Sequence, residues 1–251
     1  MPPADIVNSM TFEPENWQST KRILVILAHP DDPDFFCGAT LSRWCKQGHD
    51  VHYCLLTKGQ RGGQDPTIDP IILGEQRVIE QEAAAKALGV KTVEFLYYLD
   101  GEVVADLETR KAVTRVIRKW QPQILVSCDP LNIFPFDSRI NHPDHRAAGQ
   151  VVVDAAFPAA GSPMYYPEMI LNEELQSCSV EEVWLSLTSN GNMHLDVTDY
   201  FDDRLRALHC HRSQINQDFG EFDANMRKRI SVDPETGKSI YLEHFRRIPL
   251  K

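Results

Sequence analysis

The sequence predicts an α/β fold in which a mostly parallel sheet lies between two layers of helices. In the first two-thirds of the 251 residues, short apolar runs alternate with longer segments that have a helical apolar face. Strict alternation of this kind is typical of βαβ units with right-handed crossovers. The first apolar run, Ile23–Leu27, also lacks polar alternation, as expected of a parallel strand that is buried on both faces.

The predicted strands and helices follow one another closely. Runs rich in β-branched and aromatic residues predict four strands, at residues 22–28, 51–57, 92–98 and 124–128. Apolar residues at helical spacing predict four helices, at residues 38–48, 70–88, 107–120 and 145–156. Gly48 and Gly89 suit the C-terminal ends of the first two helices. Beyond Ala156 the pattern is weaker, and it predicts strands at residues 183–187 and 194–197 and a helix at residues 205–211.

We expect one domain rather than two. A chain of 251 residues can bury a sizeable single core, and neither an internal repeat nor a low-complexity linker divides it. Residues 1–20 are polar and mixed in charge, and they are predicted to form an arm before the first strand. Residues 21–251 are predicted to form the domain. Within it, residues 216–251 have the weakest core pattern and are interpreted as a C-terminal extension.

The composition limits the classes of partner and compartment. The formal net charge of -10 argues against nucleic acid and against an anionic membrane as the default partner. No run approaches the roughly 20 apolar residues that span a bilayer. Residues 1–22 lack the basic-then-apolar order of a signal peptide, so a cytoplasmic location is expected. The six cysteines contain no C-x-x-C pair and are predicted to be free thiols.

Two polar motifs follow predicted strands. HPDD, residues 29–32, ends the first strand, and NHPDH, residues 141–145, lies after the fourth. Because the carboxyl ends of parallel strands meet at one edge of a sheet, we expect the two motifs to converge. Each motif alone has a structural explanation, since Asp and Pro form turns and helix N-caps, and paired histidines occur as capping or surface residues.

Together the motifs predict a divalent metal site. Two histidines and one carboxylate bind a metal and leave one position for water, whose pKa the metal lowers toward about 7. A second carboxylate beside the site can take a proton from that water and later give it to a leaving group. HPDD offers both carboxylates, and a metal cation would compensate charges that are otherwise costly to bury.

The same residues resemble the LmbE-like, or PIG-L, family of deacetylases. The resemblance rests on HPDD followed by Gly38-Ala39-Thr40, and on NHPDH. Three smaller pieces also match: Thr57-x-Gly59, Arg77-x-x-Glu80 and His211-x-Ser213-Gln214. The similarity extends from about Lys21 to Gln214. Two positions depart from the commonest pattern, since Asp34 and Gln60 stand where the family has Glu.

This resemblance implies a Rossmann-like fold, a bound zinc ion and the removal of an acyl group, usually acetyl, from the amine of an amino sugar. Carried over to this chain, it implies that the zinc ligands are His29, Asp32 and His145. It makes Asp31 the general base. It gives a protonated His142 the task of stabilising the tetrahedral oxyanion, with Asp144 to orient or charge that ring. The candidate substrate contacts are Arg77, Arg61, Asp100 and His211.

Several alternatives stay open at this point. The expected substrate is a small amino sugar related to N-acetylglucosamine, and the resemblance implies a homo-oligomer, a trimer or a hexamer. Iron, cobalt or manganese could replace zinc in the same ligand set. An amidase for another sugar-conjugate or secondary-metabolite amide is possible, as is a non-catalytic metal-containing carbohydrate-binding protein. A receiver-like phosphoacceptor leaves the histidines unexplained, and a nicotinamide-binding oxidoreductase would need G-x-G-x-x-G where HPDDPD stands.

Overall fold

The computed structural model of the protein describes residues 15–135, 139–233 and 236–250. Residues 1–14, most of the predicted N-terminal arm, lie outside these ranges. The described part of the arm packs on the domain, because the Trp17 ring centroid lies 5.3 Å from that of Trp44 and 5.8 Å from that of Trp184. None of the helices in the described ranges is both long and apolar enough to cross a membrane.

The first half of the chain alternates strand and helix as predicted. The strands are β1 (Arg22–Leu27), β2 (Asp50–Thr57), β3 (Thr92–Tyr98) and β4 (Ile124–Cys128). The helices that follow them are α1 (Asp32–Lys46), α2 (Pro70–Leu88), α3 (Leu107–Trp120) and α4 (Pro143–Asp154). A π-helical turn, Ala155–Ala160, continues α4.

The second half contains shorter elements. Its helices are α5 (Pro167–Glu173), α6 (Phe201–Leu208) and α7 (Phe219–Arg227). Its strands are β5 (Glu182–Ser186), β6 (Met193–Asp196), β7 (Ser231–Val232), β8 (Ser239–Ile240) and β9 (Leu242–Pro249). β7 and β8 form a separate two-stranded sheet.

The central sheet places its switch point between β1 and β4. Its seven strands have the order β3-β2-β1-β4-β5-β9-β6. β1 to β5 pair in parallel, whereas β9 is antiparallel to β5 and β6. The chain runs outward from β1 to β3 and then returns to place β4 on the other side of β1. In open α/β sheets, ligands bind beyond the carboxyl ends of the strands where the order reverses in this way.

Helices cover both faces of the sheet, which confirms the predicted α/β fold with three layers. One core packs α1, α2 and α6 against the sheet, and the other packs α3 and α4. In β1, Ile23 and Val25 belong to the first core and Leu24 and Ile26 to the second, and all four are fully buried. This explains why the sequence of β1 shows no polar alternation.

Two helices begin earlier than predicted, and both begin inside a candidate motif. α1 starts at Asp32 rather than at residue 38, and α4 starts at Pro143 rather than at residue 145. Each first turn contains a proline and an acidic residue, which favour a helix start. Both motifs are therefore helix N-termini as well as strand ends.

The C-terminal segment is part of the central sheet. β9 pairs with β5 on one side and with β6 on the other, so residues 242–249 complete the sheet rather than extend from it. The late helix, α6, also lies earlier than the predicted residues 205–211.

Gly149 allows α4 to lie against the end of β4. A Cβ atom at Gly149 would lie 2.2 Å from the carbonyl oxygen of Cys128 and 3.0 Å from the backbone nitrogen of Pro130. Because both obstacles are backbone atoms, no side-chain rotation relieves the clash. The missing side chain therefore sets how closely the helix that carries His145 approaches the sheet.

Gly149→Ala is expected to lower the free energy of unfolding by about 1–3 kcal/mol, the range for overpacked cores. Without a clash, Ala would instead stabilise a helix by about 1 kcal/mol relative to Gly. Urea denaturation measures the free energy of unfolding and shows whether Ala lowers it or raises it. Gly161→Ala is the control, because its Cβ would have no neighbour closer than 3.7 Å. Equal stability of the two variants would show that α4 can move away from β4 without penalty.

Candidate metal centre and active site

A cavity of about 400 Å³ opens beyond the carboxyl ends of β1 and β4. Most of the residues predicted for the site line it: His29, Asp31, Asp32, Arg61, Arg77, Asp100, His142 and His145. Phe35 and Phe36 also line it. The two motifs therefore converge, as their positions after parallel strands predict.

His29, Asp32 and His145 bring two ring nitrogens and the two oxygens of one carboxylate close together. His29 Nδ1 lies 3.2 Å from His145 Nε2 and 3.4 Å from Asp32 Oδ2, and His145 Nε2 lies 3.0 Å from Asp32 Oδ1. Zinc binds nitrogen and oxygen ligands at about 2.0–2.1 Å with tetrahedral geometry, which separates neighbouring ligand atoms by about 3.3 Å. The N–N spacing, and the two N–O spacings to different oxygens of Asp32, lie near this value. We call these three residues the ligand triangle.

The other nitrogen of His29 faces two carboxylates. His29 Nε2 lies 3.2 Å from Asp100 Oδ1 and 3.1 Å from Asp144 Oδ2. Backbone N–H groups also hold these carboxylates, that of Gly101 donating to Asp144 and that of Arg61 to Asp100. The carboxylates favour the tautomer with the proton on Nε2, which leaves the Nδ1 lone pair of His29 for a metal.

His145 is oriented in a similar way. Its Nδ1 lies 3.0 Å from Asn141 Oδ1, while Asn141 Nδ2 donates to the carbonyl of Asn132. Because the amide nitrogen is occupied by a carbonyl, the amide oxygen is the atom that accepts from His145 Nδ1–H. His145 Nε2 then keeps its lone pair for the ligand triangle.

Among the described residues, two groups of three bring one ligand atom from each member within 4.8 Å of one another, and the ligand triangle is not one of them. They are His29 with His142 and His145, and His29 with Asp100 and Asp144. In the group with two carboxylates, both carboxylates accept backbone N–H groups, as Asp32 Oδ2 also does from the N–H of His29. The group of three histidines contains no anion, whereas both oxygens of Asp32 lie within 3.4 Å of ring nitrogens. The ligand triangle combines two ring nitrogens with one carboxylate, a donor set that divalent cations accept.

The carboxylates around His29 need a compensating positive charge. Burial disfavours the charged ring, but Asp32, Asp100 and Asp144 outweigh it and raise the pKa of His29 to about 12. Burial also disfavours the ionised form of Asp32, but His145 and His29 hold its pKa well below the usual range. Without a metal, a proton on the His29 ring supplies positive charge to these carboxylates. A divalent cation at the ligand triangle would supply it instead.

Asp31 is paired with Arg77 across the cavity. Its backbone is left-handed, with φ 84° and ψ -28°, and its Oδ1 lies 3.3 Å from Arg77 Nη2. Burial raises the pKa of Asp31 to about 6, although Arg77 opposes this. A carboxylate that lies beside a metal site but outside the ligand set is in the position of a general base.

His142 is the N-cap residue of α4, and its Nδ1 faces a backbone N–H. Its Nδ1 accepts the backbone N–H of Asp144 at 3.2 Å, so the neutral ring carries its proton on Nε2. Burial, together with His29 and His145, lowers the pKa of His142. A protonated ring was expected from the sequence. The structure instead favours a neutral ring that can still donate from Nε2.

Arg77 reaches the cavity between two glycines. A Cβ atom would lie 2.3 Å from Arg77 Nη1 at Gly59 and 2.2 Å from it at Gly62. The guanidinium donates to the carbonyls of Gly59 and Pro30 and is almost fully buried. The glycines of the TKGQRGG segment therefore make room for this arginine.

Arg61 lies at the rim of the cavity, where its side chain is about half exposed. It donates to the carbonyl of Asp100 at 2.9 Å and to the carboxylate of Glu102 at 2.5 Å. Arg61 therefore braces the turn that presents Asp100 to His29.

Two predicted site residues take positions other than those expected. The carboxylate of Asp144 contacts His29 rather than the ring of His142, because residues two apart at a helix start do not face each other. His211 was expected to contact substrate, but it is fully buried and its Nε2 lies 2.9 Å from Asp34 Oδ2. It follows α6, which packs on α1, so His211 supports the HPDD turn from behind the cavity wall.

Sequence reasoning missed two features of the site. The Phe36 ring packs edge-on against His145 at 5.2 Å between centroids, yet its position in the sequence resembles that of an ordinary core residue. Glu80 accepts from both the backbone N–H and the hydroxyl of Ser213. The Arg77-x-x-Glu80 and His211-x-Ser213-Gln214 pieces therefore mark one contact between α2 and the segment after α6.

The chain is similar to several known proteins. Residues 24–156 match the family model described as PIG-L: GlcNAc-PI de-N-acetylase. A diacetylchitobiose deacetylase of Thermococcus kodakarensis is 33% identical over 207 residues, which cover 82% of this chain and 75% of that protein. A 1D-myo-inositol 2-acetamido-2-deoxy-alpha-D-glucopyranoside deacetylase of Streptomyces avermitilis is 32% identical over 177 residues, which cover 59% of this chain and 57% of that protein.

A solved structure extends the likeness to nearly the whole chain. It is that of the N,N'-diacetylchitobiose deacetylase from Pyrococcus horikoshii in complex with an inhibitor. The TM-score is 0.82 at 30% identity, and the match covers 98% of this chain and 89% of that one. The family match spans more than half of the chain and includes both the HPDD and the NHPDH motif. The chain therefore belongs to the PIG-L family, a family of enzymes that hydrolyse N-acetyl amides.

Proposed function

We propose that the protein is a metal-dependent deacetylase that hydrolyses the acetamido group of an N-acetylglucosamine-like sugar or glycoside. The observation that carries this proposal is the ligand triangle of His29, Asp32 and His145 beside a carboxylate, Asp31, that does not belong to it. A protein that only held a metal would not need this additional group. Membership of the PIG-L family supports the acetamido group as the bond that is cleaved.

We propose zinc as the native metal and the ligand triangle as its site. Three protein ligands with an open fourth position are typical of hydrolytic zinc, although iron, cobalt and manganese accept the same donors. When bound, zinc would polarise the acetyl carbonyl and lower the pKa of water. The remaining steps are carried by side chains of this chain.

Asp31 moves the proton. It takes a proton from the attacking water as the new C–O bond forms, and it gives a proton to the sugar nitrogen as the C–N bond breaks. The products are acetate and a free amine. Arg77, 3.3 Å away, keeps the Asp31 carboxylate ionised before the attack. Burial of Asp31 then favours the protonated form of this carboxyl group.

His142 stabilises the negative charge that develops on the carbonyl oxygen. Its Nε2–H is directed by the hydrogen bond that Nδ1 accepts from Asp144 N–H. A neutral donor of this kind needs no proton transfer, and one preorganised donor contributes about 2.7–4 kcal/mol to the transition state. The carboxylate of Asp144 acts instead on His29.

We propose a small amino-sugar glycoside as the substrate. The names of the Thermococcus and Streptomyces relatives share an acetamido sugar, and a cavity of about 400 Å³ lies within the usual size of small-ligand sites. Arg77 and Asp100 line this cavity and are the proposed contacts to the sugar, with Arg61 at the rim. The homo-oligomer remains a prediction, and sedimentation of the purified protein would test it by measuring the mass of the assembly.

Purified protein is expected to hold about one zinc per chain and to release acetate from N,N'-diacetylchitobiose or a related sugar, since three ligands define a single site. A chelator should remove metal and activity together, and added zinc should restore both. Elemental analysis and an acetate assay measure this. Metal without acetate release would favour another amide substrate or a binding role. No metal under any loading condition would show that the ligand triangle does not bind one.

Asp31→Ala is expected to keep the metal and lose turnover, because Asp31 lies outside the ligand triangle. His145→Ala is expected to lose the metal, because it removes one of three ligands. Metal content and kcat are measured on the same preparations. Asp202→Ala, at an exposed carboxylate of α6, is the control for Asp31→Ala. Loss of metal in Asp31→Ala would mean that the two aspartates have exchanged roles.

His142→Ala is expected to lower kcat by about 10²–10³-fold while the metal is retained, the effect of removing one oxyanion donor. Steady-state kinetics with metal analysis tests this. An unchanged kcat would remove His142 from the mechanism. Loss of metal would instead favour the alternative ligand group of His29, His142 and His145.

A further inference from the structure

Asp31 has a backbone conformation that is rare for a residue with a side chain. Its φ is 84°, and the left-handed region costs roughly 1–2 kcal/mol for residues other than glycine. Such conformations persist only where the surrounding structure holds them in place. Because Asp31 is the proposed base, whatever holds this turn also determines where the base lies.

Two side chains of α2 hold the turn. Gln81 Oε1 accepts the backbone N–H of Asp31 at 2.7 Å, and Arg77 Nη2 donates to the carbonyl of Pro30 at 2.7 Å. Residues four apart lie on one face of a helix, so Arg77 and Gln81 meet the turn together. Arg77 also contacts the Asp31 carboxylate, whereas Gln81 acts on its backbone.

The hydrogen-bond partners of Gln81 allow its amide only one orientation. Gln81 Nε2 lies 3.0 Å from Asp34 Oδ2, the same oxygen that lies 2.9 Å from His211 Nε2. A backbone N–H cannot accept a hydrogen bond and an ionised carboxylate cannot donate one, so Oε1 must face Asp31 and Nε2 must face Asp34. Gln81, Asp34 and His211 are all fully buried, so water does not compete for these bonds.

We infer that Gln81 is a positioning residue, whose amide holds Asp31 in the left-handed conformation and thereby aims its carboxylate into the cavity. The Asp34–His211 pair fixes the orientation of that amide. This inference rests on the proposed role of Asp31 as the base. Gln81 lies behind the cavity wall and acts through the backbone of Asp31, not by contact with substrate or metal. Asp34, which stands where the family has Glu, then has the structural role of holding the Gln81 amide.

Gln81→Met tests the inference, because Met has similar length but makes neither hydrogen bond. The kcat for acetate release is expected to fall about 10–100-fold, the scale of a misplacement of about 1 Å. The KM for the sugar and the metal content are expected to stay within about twofold of the wild-type values, since neither substrate contacts nor ligands change. Glu82→Met is the matched control, since Glu82 is an exposed residue of the same helix.

Gln81→Glu gives a second readout that does not depend on how well Gln81→Met folds. A protonated carboxyl can accept from Asp31 N–H and donate to Asp34, so it restores both hydrogen bonds. An ionised carboxyl would face the Asp34 carboxylate and repel it. The kcat of Gln81→Glu relative to wild type is therefore expected to recover at low pH and to fall as the pH rises. Glu82→Gln, a change of charge at an exposed position of the same helix, should show no such trend.

Two outcomes would overturn the inference. One is a wild-type kcat in folded, metal-loaded Gln81→Met. The other is a loss of kcat that only parallels a loss of metal, as a merely structural role predicts. If the wild-type enzyme itself released no acetate, the proposed function would fail instead. A crystal structure of Gln81→Met would then decide the positioning role: a shift of Asp31 to negative φ supports it, and retention of φ near 84° refutes it.

Discussion

The site depends on the concentration of negative charge around one buried imidazole. Asp32, Asp100 and Asp144 lie within 3.4 Å of the two nitrogens of His29, and all four side chains are nearly inaccessible to solvent. Each buried charge costs several kcal/mol unless an opposite charge compensates it. A cation in the ligand triangle would remove that penalty. Binding of a metal there would therefore be coupled to folding, and its affinity would add to the stability of the native chain.

The rest of the structure prevents these charges from moving apart. His29 follows the central strand β1, whose neighbours β2 and β4 are fixed by parallel pairing. The bare backbone of Gly149 brings α4, and with it His145, close to β4. Because the backbone of Asp31 is left-handed, its carboxylate lies beside Arg77. The carboxylate of Asp32 instead lies beside the histidine rings. Two neighbours in the sequence thus acquire different tasks.

The sequence predicts those parts of the molecule that follow from local periodicity and from the rules of parallel sheets. The bounds of α2, α3, β3 and β4 match the predicted ones, because each has a continuous apolar pattern. The convergence of HPDD and NHPDH follows from their positions after two parallel strands. β9 is a different case. The sequence LEHFRRIP is rich in charge, and it becomes a strand because β5 and β6 pair with it on both sides.

The side-chain roles that escaped prediction depend on directions and distances that no local pattern encodes. Asp144 turns toward His29 because α4 begins earlier than its apolar pattern indicates. His211 meets Asp34 across 177 positions of the sequence, and Gln81 meets Asp31 across 50. Gln81 looks like an ordinary polar residue of an amphipathic helix until the turn that it contacts is in place.

The irregular turn of α1 at Cys37 links the metal centre to a much later part of the chain. Cys37 has a non-helical φ of -152°, and just after it the carboxylate of Glu243 in β9 accepts the backbone N–H groups of Ala39 and Thr40, at 3.2 and 2.8 Å. The helix whose first turn contains Asp32 is thus completed by a residue 203 positions further on. During translation, the ribosome releases β9 long after both histidine motifs have emerged. A nascent chain therefore acquires the fully braced turn of α1 only when residues 242–249 have been made, and a product truncated before them would lack the contacts of Glu243 to Ala39 and Thr40.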